Sequence, residues 1–288
     1  MVWGLIESAL RQGLLLVPLA LGVHVAFRFA RYPDLTADGS LLVGSAICVT
    51  AMLSGMPSTL ALVTGALGGG LLGSITAVVS EKLCVDRVLA GLATSLAAYT
   101  VALRVLGRGN VAIPASVITV FDASRSDIAV SALAAIVTLS IVFAIARSQA
   151  GLRIRAVGEN RELVGQLGGA VSLRTTAALI WANVCVALSG SLLAQHQRFV
   201  DVGQGAGTLF IGLACVLIGG ALPGGSLIIG GLVGSACGAL LYSLLIAFAL
   251  SLGLNPGDLK AITAGLVILA AWTGQHVFPT EGRPALFP

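Results

Sequence analysis

Residues 127–147 read DIAVSALAAIVTLSIVFAIAR, a run whose charged residues, Asp127 and Arg147, stand only at its two ends. A stretch of about 20 mainly apolar residues is what an α-helix needs to cross the hydrocarbon core of a bilayer. The run also lacks the alternation of apolar and polar residues that is typical of a membrane β-barrel strand. It therefore predicts a transmembrane helix.

The composition of the whole chain agrees with this prediction. Hydrophobic residues make up 57% of the 288 residues, charged residues make up 10%, and the mean hydropathy is +1.01. Soluble domains contain about 25% charged residues, so this chain has too few to cover a water-exposed surface. Because lipid cannot satisfy backbone hydrogen bonds, spanning segments are helices or closed barrels. We predict an all-α, polytopic membrane helix bundle that forms a single transmembrane domain over residues 1–288.

Nine apolar runs are long enough to be spanning or re-entrant helices. The second and the seventh are short and contain glycine, so either fits a broken or re-entrant element that is buried in protein. The predicted helices are 6–28, 39–55, 58–79, 87–107, 127–147, 173–195, 205–222, 226–251 and 258–277.

The basic residues predict the orientation, since short cytoplasmic loops carry an excess of Lys and Arg. One loop, at about 150–174, is flanked or occupied by five arginines, which places it in the cytoplasm. Two successive spans return the chain to the same side, so the two preceding basic clusters, each two spans earlier in the chain, are also cytoplasmic. With nine full spans, the N-terminus is then outside and the C-terminal tail inside. The formal net charge of +4 is scattered among the apolar runs, which argues against a nucleic-acid partner. The three clusters are Arg147, Arg153, Arg155, Arg161 and Arg174; Glu81, Lys82 and Arg87; and Arg28 and Arg31.

The sequence carries no recognisable catalytic motif. It has no GxxxxGK[ST] phosphate loop, and its three histidines are far apart. Its five cysteines lie singly, without a CxxC pair, so we expect no metal site and no catalytic residue. Any energy from ATP must therefore come from a separate subunit.

The cytoplasmic segment 150–175 reads AGLRIRAVGENRELVGQLGGAVSLRT. Residues 159–168 can form a short amphipathic helix with Leu163 and Leu167 on one face. Gly158 before it and Gly168 after it predict its limits. A solvated loop is the alternative that amphipathicity alone leaves open.

This segment resembles the coupling segment of the ATP-binding cassette permeases that take up ribose, branched-chain amino acids and aromatic amino acids. In that family a GxN sequence and a following small helix dock into a cleft of the ATPase. The resemblance implies the same role here for Arg155, Gly158, Glu159, Asn160, Glu162, Leu163, Gly165, Leu167 and Gly168.

Three further blocks extend the resemblance over most of the chain and favour the tryptophan/tyrosine permease branch. Residues 34–40, DLTADGS, are similar to the family's DLTxDGS. Residues 82–113 resemble its KLxIxxxLAGI block, and residues 189–219 resemble its SGxLxAQxxGxADV block. The departures from the pattern, such as Arg198 and Gly220, concern the cargo more than the class.

The resemblance implies a type II-like permease subunit of an importer in the bacterial cytoplasmic (inner) membrane. It implies a cytoplasmic ATPase subunit that binds ATP and Mg²⁺, an extracytoplasmic substrate-binding protein and a second permease copy in a homodimer, all in contact with membrane lipid. The resemblance implies that the cargo is a small polar solute. Among such solutes it favours an amino acid, and among amino acids an aromatic one. A sugar, a nucleoside or another small metabolite is the alternative cargo.

Polar side chains near or within the spans are candidate pathway residues, because burying them in a membrane is costly. Asp38 or Ser40 could simply cap the helix that follows, or the turn could line a pathway and meet an amine of the cargo. Asn183 could be an interhelical hydrogen-bond partner or a substrate ligand. The full set is Asp34, Thr36, Asp38, Ser40, Asn183, Gln195 and Asp201.

A secondary transporter driven by an ion gradient is the alternative function. It predicts paired carboxylates or a buried Asp–Lys pair in mid-span, and the predicted spans have almost none at their centres.

Overall fold

The protein is described by a computed structural model over residues 2–122, 126–222, 228–253 and 256–276. It is a helical bundle with one two-stranded ribbon, which confirms the predicted all-α membrane architecture. The helices are α1 (Val2–His24, continued by a π-helical turn Val25–Phe29), α2 (Ala37–Leu53), α3 (Ser58–Glu81), α4 (Arg87–Leu106), α5 (Asp127–Arg147), α6 (Gln149–Glu159), α7 (Arg161–Gln166), α8 (Val171–Gln197), α9 (Thr208–Gly220), α10 (Ile228–Ser251) and α11 (Leu259–His276); the strands are β1 (Asn110–Ala112) and β2 (Phe199–Asp201).

Within the described residues, six helices are long and apolar enough to cross a membrane. The helices α2 and α9 have only 17 and 13 residues, or about 25 Å and 20 Å at the usual rise, which is less than the roughly 30 Å of a bilayer core. These are the two helices that the sequence marks as short. The count of nine stays a prediction.

The predicted cytoplasmic clusters lie together at one end of the bundle, which we call the inner end. Arg161 forms an ion pair with Glu81, and Arg31 forms another with Glu159 at 2.7 Å. The three basic clusters therefore share one side, as the predicted topology requires. The ribbon of β1 and β2, in which Val111 pairs with Val200, lies at the opposite, outer end.

Helix α8 forms the centre of the bundle and packs against α1, α2 and α3. Small residues let these helices approach closely. A methyl group added at Gly73 would meet the backbone of Leu179, and one at Gly44 would meet that of Ala187. Close backbone approach at small residues is how membrane helices gain packing energy without a hydrophobic drive between them.

The helices α9 and α10 show the tightest such contact. Gly219 and Gly234 face each other, and a methyl group added at Gly238 would collide with the carbonyl oxygen of Cys215. Because the neighbour is backbone, it cannot move aside as a side chain could.

We therefore expect Gly238→Ala to destabilise the protein by about 1–3 kcal/mol, the usual cost of overpacking. The control is Gly265→Ala in α11, where an added methyl group meets nothing within 4 Å and alanine favours the helix. Thermal unfolding in lipid nanodiscs should show a lower Tm for the first variant and an equal or higher Tm for the second. Equal Tm values for both would contradict the packing.

Candidate functional site

The inner end carries a short helix, α7, in which no residue is buried. Its N-cap is Asn160, whose side-chain oxygen accepts a hydrogen bond from the backbone N–H of Leu163 at 2.9 Å. The chain leaves it through Gly168, whose φ of +75° suits glycine. The predicted break at Gly158 is wrong: Gly158 and Glu159 belong to α6, and the break falls at Asn160, which is extended with φ −149°.

Gly158 is required for close packing of α6 against the π-helical turn and not for a turn of its own. A side chain at this position would collide with the carbonyl oxygen of Phe29 at the end of the π-helical turn. The guanidinium of Arg155 lies over the Phe29 ring at 5.6 Å from its centre. Helix α6 is therefore fixed directly to the inner end of α1.

Two ion pairs and one hydrogen bond hold the start of α7 to the bundle. Glu159 pairs with Arg31, and Arg161 pairs with Glu81 at the end of α3 and donates to Thr175 Oγ1 of α8 at 3.2 Å. Glu81 has only 5% of its side chain exposed, so its attraction to Arg161 is screened by salt less than that of an exposed pair. A displacement of α7 would thus reach α1, α3 and α8 together.

The apolar face of α7 has no cover. No residue of α7 is buried, Leu163 is 50% exposed and Leu167, just after the helix, is 78% exposed. These leucines lie beside charged residues at the end of the bundle that carries the basic clusters. Exposed apolar side chains in such a polar setting are typical of a protein–protein contact.

A second group of polar residues is buried near the middle of α8. Asn183 Nδ2 donates to Asp34 Oδ2 at 2.7 Å, and Asn183 Oδ1 accepts from Ser40 Oγ at 2.6 Å. Asp34 Oδ1 also accepts from the backbone N–H of Thr36, whose hydroxyl bonds that of Thr76 at 2.7 Å. Their exposure is 2% for Asp34 and 0% for Asn183. The group ties the start of α2 to α8 and α3.

Asp38 joins α2 to α9. Its carboxylate accepts hydrogen bonds from the backbone N–H groups of Gly207 and Leu209, at 2.9 and 2.7 Å, and from Thr208 Oγ1 at 3.0 Å. The expectation that Asp38 or Ser40 caps α2 is therefore wrong, because Asp38 binds the N-terminus of α9 and Ser40 bonds Asn183. Helix α9 begins at Thr208 and not at residue 205, since Gly207 adopts φ +90°.

This contact places two helix N-termini at the same depth within the bundle. From there α2 runs outward, so that Cys48 Sγ meets the Gln195 amide at 3.3 Å near the outer end of α8. Helix α9 runs inward along α1, from Gly212 beside Val23 to Gly220 beside Arg28. The two short helices are thus half-length elements that diverge from Asp38.

A cavity of about 640 Å³ lies in the outer half of the bundle, between the loop 203–207 and the helices α1, α9, α10 and α11. It reaches from Gln197 at the end of α8 down to Thr208 beside the helix junction. Its lining is mostly apolar, and Tyr242 Oη and Thr263 Oγ1 bond each other in its wall at 2.8 Å. The described residues of its lining include Gln204, Thr208, Phe210, Tyr242, Ser243 and Ala264.

The outer loops are held by Gln195 and Arg198. Gln195 Oε1 accepts from the N–H of Val120 at 3.1 Å, and its Nε2 donates to the carbonyl of Ser58. Arg198 forms an ion pair with Asp122. Arg198, one of the departures from the family pattern, thus belongs to this outer clasp and not to the described lining of the cavity.

Comparison with known proteins agrees with these features. The family described as branched-chain amino acid transport system / permease component matches residues 5–272. The chain belongs to this permease family. It is 30% identical to the tyrosine transport system permease protein of Clostridioides difficile (strain R20291) over 94% of this chain and 91% of that protein. It is 26% identical to an uncharacterised protein of Rickettsia prowazekii (strain Madrid E) over 91% of this chain and 94% of that protein. No solved structure matches.

The permease is thus a transport component and a multi-pass protein of the bacterial inner membrane. Its predicted pathway residues divide into three places. Asp34, Thr36, Ser40 and Asn183 form the buried group; Asp38 lies at the helix junction; Gln195 and Asp201 lie at the outer end, where Asp201 Oδ1 accepts from the N–H of Gly203 at 2.7 Å. None of the seven is among the described residues that line the cavity.

Sequence reasoning missed the cavity residues of the permease. Tyr242, Ser243 and Thr263 are single hydroxyl residues in long apolar runs, which is also how packing hydroxyls look. A signal existed in the loop 203–207, GQGAG. Glycines just before an unusually short apolar helix indicate a chain that re-enters the bundle.

Replacing Asp38 tests the helix junction. Asp38→Ala should destabilise the permease by about 1–3 kcal/mol, since it leaves buried amide donors of α9 without a partner. Asp86, the exposed N-cap of α4, which accepts from Val88 and Leu89, provides the control: Asp86→Ala should cost less, because water can replace the carboxylate. Tm values in nanodiscs measure both. If the junction does not stabilise the fold, Asp38→Ala should lower the Tm less than Asp86→Ala does.

The outer clasp predicts a response to pH. The hydrogen bond from the N–H of Thr119 at 2.7 Å, and then the Arg198 guanidinium, lower the pKa of the Asp122 carboxyl. Stability from a lowered carboxyl pKa is present above the ordinary value of about 3.9 and is lost as the pH falls through the folded-state pKa.

Hydrogen exchange at Thr119 and Val120, corrected for the intrinsic rate, should therefore stay constant from neutral pH down to about 4 and rise below it. In Asp122→Asn, exchange should be faster at neutral pH and lose this acid dependence. A wild-type profile that rises between neutral pH and the ordinary carboxyl pKa would contradict the assignment.

Proposed function

We propose that this chain is the permease subunit of an importer that is driven by a separate ATPase, and that α7 is the element on which the ATPase docks. The observation that carries the proposal is the form of α7: Leu163 and Leu167 are exposed, while Glu159 and Arg161 fasten its start to the bundle. A docking element needs both an uncovered contact face and a rigid attachment to the parts that it moves.

The attachments give the ATPase a mechanical route into the membrane domain. Motion of α7 would pull on Glu81 at the end of α3 through Arg161 and on α1 through Arg31 and Gly158. Helix α3 packs backbone to backbone on α8 near Asn183, which bonds the start of α2. The route ends at the junction of α2 and α9, where a small rotation would open or close the inner end of the outer cavity.

We further propose that the cargo is an amino acid with an apolar side chain and that it arrives from an extracytoplasmic binding protein. Support comes from the family's description and from a relative that is named for tyrosine transport. A second copy of the permease completes the transporter, with ATP and Mg²⁺ bound by the ATPase subunits. Uncovered apolar faces on α3, α4 and α5, including Leu71, Leu96 and Leu133, are available to lipid or to that copy.

Uptake into proteoliposomes tests the function. The permease with its cognate ATPase and binding protein should accumulate labelled tyrosine or leucine only when ATP is present on the ATPase side. The permease alone should accumulate neither under an imposed proton or sodium gradient. Gradient-driven uptake by the permease alone would replace the proposal with the secondary transporter.

Leu163→Lys tests the docking role. The variant should leave the Tm nearly unchanged, because half of the Leu163 surface is already exposed, and should abolish the stimulation of ATP hydrolysis by cargo-loaded binding protein. Leu152→Lys is the control, since Leu152 is 58% exposed on α6 but lies outside α7. Equal stimulation in wild type and Leu163→Lys would place the ATPase contact elsewhere.

A further inference from the structure

The outer cavity has hydrogen-bonding groups that no described residue of the protein binds. Ser243 is 5% exposed, and its hydroxyl has no partner among the described residues. Gln204 donates from Nε2 to Gln197 Oε1 at 3.0 Å, but its own buried Oε1 has no partner within the described part of the chain. Buried polar atoms are nearly always paired, and leaving one unpaired costs about 1–3 kcal/mol. Two such atoms in the lining of one cavity point to a ligand that pairs with them.

The charge of the lining limits what that ligand can be. None of the described residues that line the cavity is an Asp, Glu, Lys, Arg or His. A solute with a net charge would therefore enter without a counter-ion, which is costly away from water. In a zwitterion the ammonium and carboxylate groups lie close together and compensate each other's charge. A solute of zero net charge would meet a neutral donor, the Ser243 hydroxyl, and a neutral acceptor, Gln204 Oε1.

The apolar part of the lining limits the ligand further. Five leucines, two isoleucines and Phe210 provide one large apolar part of the wall. A sugar or a nucleoside carries hydroxyl groups over much of its surface and would leave those against this part of the wall unpaired. An apolar side chain would instead gain about 25 cal/mol for each Å² that it buries. The volume of about 640 Å³ is in the range of small-molecule sites, roughly 300–1,000 Å³.

We propose that this cavity is a solute-binding chamber of the permease, open toward the outer side, for a zwitterionic amino acid with an aromatic or branched apolar side chain. The Ser243 hydroxyl donates to the carboxylate, Gln204 Oε1 accepts from the ammonium group, and the side chain lies against Phe210 and Tyr242. The inference rests on the proposed function for its cargo class and adds the site within one protomer.

Labelling of an introduced cysteine tests the chamber. Ala264 is exposed in the cavity wall, and Ser116 is exposed in the outer loop that follows β1, outside the described lining. Ala264→Cys and Ser116→Cys are treated with a membrane-impermeant maleimide in right-side-out vesicles, with the wild-type chain as background. L-tyrosine and L-leucine should slow labelling at position 264 severalfold, whereas D-ribose and L-glutamate should not. Labelling at position 116 should be unchanged by all four.

Ser243→Ala separates a ligand role from a structural one. The substitution removes a hydroxyl that no described residue bonds, so the Tm should stay the same or rise. The tyrosine concentration that half-protects position 264 should increase about tenfold, as expected for one lost hydrogen bond. Ser251→Ala, on the same helix, removes a hydroxyl that donates to the carbonyl of Phe248 and lies outside the described lining of the cavity, so it should leave protection unchanged.

Three results would overturn the chamber: no labelling at position 264, no protection by either amino acid, or equal protection by D-ribose. A lipid acyl chain in the cavity would give the second result. The uptake experiment tests the proposed function separately. Tyrosine uptake without protection rejects the chamber alone, and protection without ATP-driven uptake rejects the importer alone.

Discussion

The inner architecture of this permease depends on the hydrogen bonds that Asp38 accepts from the start of α9. Lipid cannot solvate a backbone amide, so a helix that begins inside a membrane domain must have its first N–H groups bound by protein. Asp38 supplies a carboxylate at the positive end of the helix dipole. This one interaction lets α9 start at depth, lets the loop 203–207 descend from the outer surface and so creates the wall of the outer cavity.

The same region is connected to the inner end by packed backbone. Asn183 of α8 bonds Asp34 and Ser40 near the start of α2, and the glycines of α3 let α3 pack closely against α8. Helix α3 ends at Glu81. Glu81 in turn holds Arg161 at the start of α7. Helices packed backbone to backbone deform little, so the close contact of α3 with α8 and the partly buried pair of Arg161 with Glu81 form a continuous connection from α7 to the start of α2. The group around Asn183 therefore lies within the packed connection between α7 and α2, although it does not line the cavity.

The short helix α7 was predictable because its signals are local, whereas its role in docking an ATPase stays a prediction. The apolar positions of Leu163 and Leu167, the glycines and the basic flanks all act over a few residues, and the structure places a short helix there. The error at Gly158 has a tertiary cause. Glycine predicts a break when only the chain is considered, but Gly158 is small because the carbonyl of Phe29 lies against it. Asn160, which can cap a helix with its own side chain, makes the actual break.

The amino-acid sequence by itself determined that the chain is a helical membrane protein, that two of its apolar runs are too short to cross a bilayer, and that its basic clusters share one end of the bundle. These follow from hydropathy, length and the position of charge, which act through the solvent and need no neighbour. Only the tertiary structure decided that Asp38 serves α9 instead of its own helix, that Asn183 bonds Asp34 and that Ser243 and Gln204 face one cavity. Such choices depend on which residues from distant parts of the chain must satisfy one another where water is absent.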